Sequence, residues 1–186
     1  AFHKCSGLTS VSFPKATSIG ERAFSNCSKL TEVSFPEAMG IIGYGAFQSC
    51  NGLTSVSFPK VTRIDNYAFE SCSSLTSVSF PNATIITPHA FESCSSLTEV
   101  SFPLVTRISG YAFQYCSGLT NVSFPVATNI DAYAFYQCSS LTNVAFPNAT
   151  SIASDVFDSC TSLTTIYVGT DTSTVCRISS DAFNNC

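Results

Sequence analysis

Eight cysteines recur along the chain at intervals of 22 residues, with a single interval of 23. They are Cys5, Cys27, Cys50, Cys72, Cys94, Cys116, Cys138 and Cys160. A leucine follows each of them by three residues, and the unit reads L-T-x-V-S-F-P-x-A-T-x-I-x-x-x-A-F-x-x-C-S-x. A unit this short cannot bury its own apolar residues, so it buries them by stacking on copies of itself. The repeat therefore predicts a solenoid, a fold class that mostly serves binding.

Each repeat carries the pattern of two short strands. In residues 53–59, Val56 and Phe58 alternate with serines, which predicts a strand with one buried face. Pro59 lacks an amide donor and marks the point where pairing must stop. Residues 62–64 predict a second, shorter strand with Ile64 pointing inward.

A helical turn is predicted after the second strand. Asp65 and Thr87, which follow the isoleucine of their repeats, are good helix N-cap residues, and Pro88 stands at the first helical position. We therefore expect a helix of one to two turns over residues such as 66–72. Three glycines just past the cysteine are predicted to end these helices in the left-handed conformation: Gly7, Gly52 and Gly118. One extra residue in the second coil predicts a local bulge around 39–41.

The inward positions predict a core of columns. Nearly all of the 16 phenylalanines fall on two columns, which predicts two aromatic ladders. The cysteines form a third column, and we interpret them as buried free thiols, because parallel side chains suit neither disulfide geometry nor convergent metal ligation. Cys176 lies off this column, in an insertion, and its redox state, like that of Cys186, is left open.

The I-x-x-x-A-F-x-x-C portion of the unit resembles the BspA-like, or Treponema-type, class of leucine-rich repeats, and the resemblance covers the whole chain. It implies a parallel sheet built from the first strands. The asparagine ladder of ordinary leucine-rich repeats is absent, so its hydrogen bonds are expected from the threonine column. Members of this class are largely surface proteins of host-associated bacteria, and several look like adhesins.

The predicted fold is an α/β solenoid, a leucine-rich-repeat-like right-handed coil of about eight 22-residue repeats. It has the parallel sheet on one face and the short helical turns on the other. We expect one domain, 1–186, that begins inside a repeat already under way. Its last coil, 163–186, is atypical, because Val168-Gly169 replaces Phe-Pro and residues 170–175 are inserted.

Composition excludes several function classes. The 8 Lys and Arg residues show no basic stripe, which argues against nucleic-acid binding. The sequence has no run of 18 apolar residues, so no membrane-spanning segment is predicted. Catalysis is not expected. His89 precedes Cys94 by five residues and suggests a Cys–His dyad, but Cys94 belongs to the buried column, whereas a nucleophile needs access to its substrate. We expect no cofactor and no metal site.

Two exposed surfaces are candidates for ligand binding. The outward face of the first strands is polar, nearly uncharged and predicted to be flat, and its candidate residues are Glu32, Ser55, Ser77, Glu99, Ser101 and Asn121. Aromatic side chains share one position in four consecutive coils and could stack on sugars or anchor a protein: Tyr67, His89, Tyr111 and Tyr133. The alternatives are a solvated sheet face without a ligand and half-buried rings that shield the turns.

The expected function is an extracellular protein- or glycan-binding adhesion module of a bacterial surface protein, secreted or at the cell surface, without catalysis. Its partner would be a host or microbial surface protein or glycan, and we expect a monomer. One alternative is a structural stalk that presents other domains. Another is a flat ice- or crystal-surface binder that uses the threonine column, which strand parity instead places inward: Thr9, Thr31, Thr54, Thr76, Thr98, Thr120, Thr142 and Thr164.

Overall fold

The computed structural model describes residues 2–169 and 175–186, which form a parallel β-solenoid of about seven turns. The predicted solenoid is confirmed, but the predicted eight repeats are not supported, because eight passes of the first strand enclose only seven complete turns. The insertion predicted at 170–175 falls mostly outside the described residues.

Each coil contributes a first strand of three or four residues, and every coil after the first contributes a second strand of two to five residues. In chain order the strands are β1 (Ser10–Ser12), β2 (Glu32–Ser34), β3 (Met39–Ile42), β4 (Ser55–Ser57), β5 (Lys60–Ile64), β6 (Ser77–Ser79), β7 (Ile85–Ile86), β8 (Glu99–Ser101), β9 (Arg107–Ile108), β10 (Asn121–Ser123), β11 (Asn129–Ile130), β12 (Asn143–Phe146), β13 (Ser151–Ile152), β14 (Thr165–Val168) and β15 (Arg177–Ile178). All pairings are parallel, and like positions pair, as Val56 does with Val78. Because the register follows the repeat, each position of the unit becomes a column along the solenoid.

The longest continuous sheet comes from the second strands rather than from the first. This sheet has seven strands in the order β3-β5-β7-β9-β11-β13-β15. Ile19 extends it through a bridge to Ile42. The first strands form three separate blocks: β1-β2, β4-β6-β8 and β10-β12-β14. The predicted bulge in the second coil is confirmed, because the register shifts between Gly40 and Ile41.

The two breaks in the first-strand sheet coincide with glycine corners. A Cβ on Gly52 would lie 2.8 Å from the carbonyl oxygen of Leu30, and one on Gly118 would lie 2.7 Å from that of Ser95. Each glycine precedes the first strand that fails to pair with the coil before it, β4 or β10. The prediction that these glycines adopt the left-handed conformation is wrong: they permit a close approach of two backbones instead.

The described residues contain no helix, so the predicted helical turns are wrong. We call the segment between the second strand and the cysteine the turn ribbon, residues 65–72 in the third coil. Tyr67 and Ser71 have φ of 60° and 59°, which a right-handed helix cannot accommodate. The Phe69 and Ser71 amides donate to Ala90 and Glu92 of the next coil, each at 2.8 Å. Alternate amides of the ribbon therefore donate to carbonyl oxygens of the next coil, where a helix would bond them within the segment.

The predicted aromatic ladders run through the core beside columns of aliphatic residues and cysteines. In the middle coils Phe69 stacks on Phe91 with ring centroids 5.3 Å apart, and Phe58 stacks on Phe80 at 5.6 Å. The two ladders meet edge to face, as Phe69 and Phe80 do at an interplanar angle of 62°. Such offset contacts match the quadrupoles of the rings and fill the space between the sheets and the turn ribbon.

The burial of the cysteine column is also confirmed. Seven members, Cys27 through Cys160, are buried free thiols, whereas Cys5 and Cys186 are exposed and Cys176 is partly buried. The Sγ atom of Cys94 donates to the carbonyl oxygen of Phe69 in the preceding coil at 3.1 Å, and equivalent bonds recur along the column. The thiols thus satisfy backbone carbonyls of the turn ribbon.

Threonines supply the ladder that asparagines supply elsewhere, as predicted. The Thr76 hydroxyl donates to the Thr54 carbonyl at 2.9 Å, and Thr106 does the same toward Thr84 in a second column at 3.3 Å. The prediction that the first threonine column points inward is wrong, because these side chains are exposed apart from the partly buried Thr142. They precede their strands at a corner, where strand parity does not yet apply.

Candidate functional site

The outward face of the first strands is not uniformly flat, contrary to the prediction, because it carries shallow, open depressions. Three adjoining depressions of about 510, 570 and 430 Å³ follow one another along the solenoid. Val33 and Ser55 line both the first and the second, and Val100 lines both the second and the third. We call this continuous depression the first-strand groove. Its floor is low because most outward side chains are serines, which stand over a layer of buried and partly buried valines.

The groove brings together all six sheet candidates. Glu32 lines the first depression, and Ser55 belongs to the first and the second. Ser77, Glu99 and Ser101 line the second depression, and Asn121 lines the third.

Hydroxyl and amide groups dominate the polar chemistry of the groove. The Asn143 amide donates to the Asn121 side-chain oxygen at 2.6 Å and to the Thr142 hydroxyl at 2.9 Å, which fixes the orientation of both asparagines. Among the described residues, Glu32 and Glu99 are the only charged groups that line the groove. Such a surface can hydrogen-bond a ligand and attract positive charge.

Tyr167 is a groove residue that the sequence interpretation missed. It lines the third depression and is 52% exposed. Its register partner is Ala145, so it belongs to the outward serine column. The sequence could have revealed it, because an aromatic residue stands there in a column that otherwise holds mostly serines. Its ring gives this end of the groove an apolar surface, and its hydroxyl group can form hydrogen bonds.

The four aromatic candidates lie elsewhere, on the turn ribbon, and none of them lines the groove. They form one stack, which we call the aromatic column. The ring centroids of Tyr67 and His89 are 4.7 Å apart, those of His89 and Tyr111 4.8 Å, and those of Tyr111 and Tyr133 5.0 Å. The interplanar angles are 6° or less, and all four residues are half-buried with positive φ.

Tyr44 adjoins this stack at one end, with its ring tilted by 59° against that of Tyr67, and it was missed. Its ring lies 5.4 Å from that of Tyr67, and the Arg22 guanidinium lies 5.4 Å from the Tyr44 centroid. Tyr44 stands one position earlier in its repeat than Tyr67 does, so position matching did not reveal it. The stack thus ends on a cation–π contact.

Stacking leaves the inner rings of the aromatic column without a free face. Tyr111 is covered on both sides by parallel rings, and so is His89, whose Nδ1 also lies 2.6 Å from the Glu92 carboxylate. At the far end, a hydrogen bond to Asp155 raises the pKa of the Tyr133 phenol. A sugar that stacks on an aromatic face therefore has access to the edges of the inner rings but not to their faces.

The chemistry expected of a nucleophile or a metal centre is not assembled in the described part of the chain. Burial raises the pKa of Cys94 to about 12, and its Sγ is engaged by a carbonyl oxygen, while the nearby His89 pairs with Glu92. No group of three metal-ligating side chains occurs in residues 2–169 and 175–186. Nor does this part of the chain include an apolar helix long enough to cross a bilayer.

Comparison with known proteins points to one family. The family model described as "BspA type Leucine rich repeat region" matches in six copies, over residues 1–120 and 62–186. A leucine rich repeat protein from T. pallidum is 26% identical, with a TM-score of 0.56 over 85% of this chain and 68% of its own length. A leucine-rich repeat protein from Bacteroides ovatus ATCC 8483 is 24% identical, with a TM-score of 0.50, and all of this chain spans 66% of its length. A search of curated proteins finds none that matches.

Proposed function

Because the chain belongs to the BspA-type leucine-rich repeat family, we propose that it is a protein- or glycan-binding adhesion module of a bacterial surface protein, with the first-strand groove as its binding surface. Residues 1–186 would act as one monomeric solenoid domain, secreted or at the cell surface. We propose no catalytic activity. The family typically serves protein binding or surface adhesion, and this supports the class of function.

One observation carries the choice of surface: all six sheet candidates line a single groove, whereas the aromatic column covers its own ring faces. A shallow groove of hydroxyl, amide and carboxylate groups offers a ligand hydrogen bonds along several coils. The aromatic column offers ring edges and hydroxyl groups, so it is the second candidate, for a protein partner rather than for stacked sugars.

The test is a panel of host-matrix proteins together with a glycan array, probed with the full chain. A groove variant, Glu99→Lys with Ser101→Lys, should abolish capture, because two lysines would fill and recharge the second depression. The matched control, Ser18→Lys with Glu21→Lys, places the same charges at exposed positions outside the groove and should leave capture unchanged.

A Tyr111→Ala, Tyr133→Ala variant separates the second candidate. If this variant loses capture while its melting temperature is kept and the groove variant binds normally, the aromatic column is the binding surface and the groove assignment is wrong. Panels that stay blank for every form favour the structural stalk.

The ice-binding alternative was expected to fail because strand parity places the threonines inward, but the structure raises a different objection. The threonines are exposed, but the Thr31, Thr76, Thr98, Thr142 and Thr164 hydroxyls donate to carbonyls of the preceding coil, at 2.9–3.2 Å. Thr31 lines the first depression of the first-strand groove, so the column borders this groove rather than a flat face. Thermal hysteresis measured on the same protein would support this alternative over adhesion.

A further inference from the structure

The charge of the first-strand groove is entirely negative within the described residues. Glu32 and Glu99 are exposed, and neither forms an ion pair with a described residue; the ion pairs of the described chain involve other carboxylates. No lysine or arginine among the described residues lines the groove. Like-signed charges in a depression without counter-charges focus a field that favours cations.

Both carboxylates also stand at the same structural feature. Glu32 lies on β2 and Glu99 on β8, and each of these strands is the last one before a break in the first-strand sheet. At an intact step the Phe58 amide donates to the Ser79 carbonyl at 3.1 Å, and Phe80 donates to Ser101 at 3.2 Å. The equivalent bonds between β2 and β4, and between β8 and β10, are missing from the described backbone. Each carboxylate is therefore accompanied by backbone groups that lack their ladder partner.

The spacing between the two points is set by the solenoid. Glu32 and Glu99 occupy the same position three coils apart, because Ser55, Ser77 and Glu99 follow in register. Strands β4, β6 and β8 lie about 4.8 Å apart in one sheet, and the unpaired step from β2 to β4 is at least as long, so three coils separate the two carboxylates by about 14 Å or slightly more. An extended polypeptide rises about 3.4 Å per residue, so it covers this distance in four residues. Residues i and i+4 of such a segment also point to the same face.

We propose that the groove binds an extended polypeptide segment of a partner protein, running along the solenoid axis, whose two Lys or Arg side chains four residues apart pair with Glu32 and Glu99. This inference rests on the proposed function and specifies its ligand. A polypeptide fits better than a neutral glycan because the groove charge is unbalanced, and lysine or arginine side chains can balance it.

The experiment uses the full chain and fluorescent eleven-residue Ser/Gly peptides that contain two lysines. The lysines stand at i and i+4 in one peptide, and at i and i+1 or i and i+7 in the comparison peptides of equal charge. Fluorescence anisotropy should show the tightest binding for the i, i+4 peptide, and the affinity should fall as salt is raised, because exposed charges are screened.

Carboxylate variants then locate the contact. Glu32→Gln and Glu99→Gln should each weaken binding of the i, i+4 peptide about two- to fivefold, the range expected for an exposed ion pair. Both changes together should remove the preference for that spacing. Glu21→Gln is the matched control, because it removes the same charge from an exposed position outside the groove.

Equal affinity for all three spacings, or an equal loss with Glu21→Gln, would show non-specific attraction and overturn the inference. No peptide binding at low salt would overturn it as well. If the groove variant abolishes capture of a protein or glycan while both Glu→Gln changes leave that capture intact, the proposed function stands and the cationic ligand does not. Failure of the capture panel and of the peptides together would remove both.

Discussion

The thiol of Cys94 donates a hydrogen bond to the carbonyl oxygen of Phe69, 25 residues earlier, at 3.1 Å. The same contact joins Cys116 to Phe91 and Cys138 to Phe113, so the cysteine column fastens each coil to the one before it. The column therefore has a structural role in this solenoid, and that role can be tested in solution.

Thiol labelling should separate the cysteines into two classes. In the native protein the seven column members from Cys27 to Cys160 should resist a thiol reagent, because all are buried, whereas Cys5 and Cys186 should react promptly and the partly buried Cys176 more slowly. Denaturation should release the remaining seven. Mass spectrometry after labelling identifies the sites, and disulfides between successive column cysteines would contradict this prediction.

Stability should decrease at alkaline pH. Burial raises the pKa of Cys50, Cys94 and Cys160 to about 12, from an ordinary value of 9.0. Above pH 9 the unfolded chain therefore loses thiol protons that the folded chain keeps. The stabilisation from these thiols is thus fully present below pH 9 and declines as the pH rises toward 12. In this window each such thiol lowers the free energy of unfolding by about 1.4 kcal/mol for each pH unit.

Circular dichroism melts under reducing conditions from pH 7 to pH 10.5 measure this effect. Cys94→Ala should reduce the slope of melting temperature against pH, whereas a change at the exposed Cys5 should not. A melting temperature that stays constant from pH 8.5 to 10.5 would mean that the thiols titrate normally.

Truncation within a phenylalanine ladder should depend on position in the stack. Phe91→Ala should lower the free energy of unfolding by about 3–5 kcal/mol, because this fully buried ring contacts four other rings and leaves a cavity. Phe2 belongs to the same column but is 40% exposed, so Phe2→Ala is a matched control with a much smaller loss. Urea denaturation of both variants checks this, and equal losses would show that the ladder is not the main source of stability.

The glycine corners should not tolerate a methyl group. In Gly118→Ala the new Cβ would lie 2.7 Å from the Ser95 carbonyl oxygen and 3.1 Å from that of Leu97. Because both contacts are backbone, we expect a loss of about 1–3 kcal/mol in the free energy of unfolding. Gly7→Ala meets nothing within 4 Å and should change stability by less than about 0.5 kcal/mol. The two melting temperatures, measured side by side, decide the matter.

The pattern of the unit was sufficient to predict the stacking, the two phenylalanine ladders, the buried cysteines, the threonine ladder and the bulge near Gly40. The stacking, the ladders of phenylalanine and the buried cysteines follow from one requirement, that equal positions of a tandem repeat lie above one another with apolar ones inside. The same requirement placed Ser77 and Glu99 in neighbouring coils on one exposed face. The bulge follows from one extra residue in the second coil, and the threonine ladder was expected because the repeat lacks the asparagines of ordinary leucine-rich repeats.

The conformation of the turn ribbon could not be predicted in this way. Good N-cap residues such as Asp65 favour a helix locally, but the Phe69 and Ser71 amides find carbonyl oxygens at 2.8 Å in the next coil. These partners exist only after the coils have stacked, and they stabilise the left-handed residues Tyr67 and Ser71 at the expense of a helix. Local propensity yields here to a tertiary hydrogen-bond ladder.

The sequence by itself thus determined that this protein is a solenoid and which side chains form its columns, because periodicity is a property of the chain alone. Only the tertiary structure decided how neighbouring columns meet. The close approaches at Gly52 and Gly118 coincide with the breaks in the first-strand sheet beside Glu32 and Glu99, and stacking covers the ring faces of His89 and Tyr111. These outcomes depend on distances of a few ångströms between coils, which the 22-residue spacing does not specify.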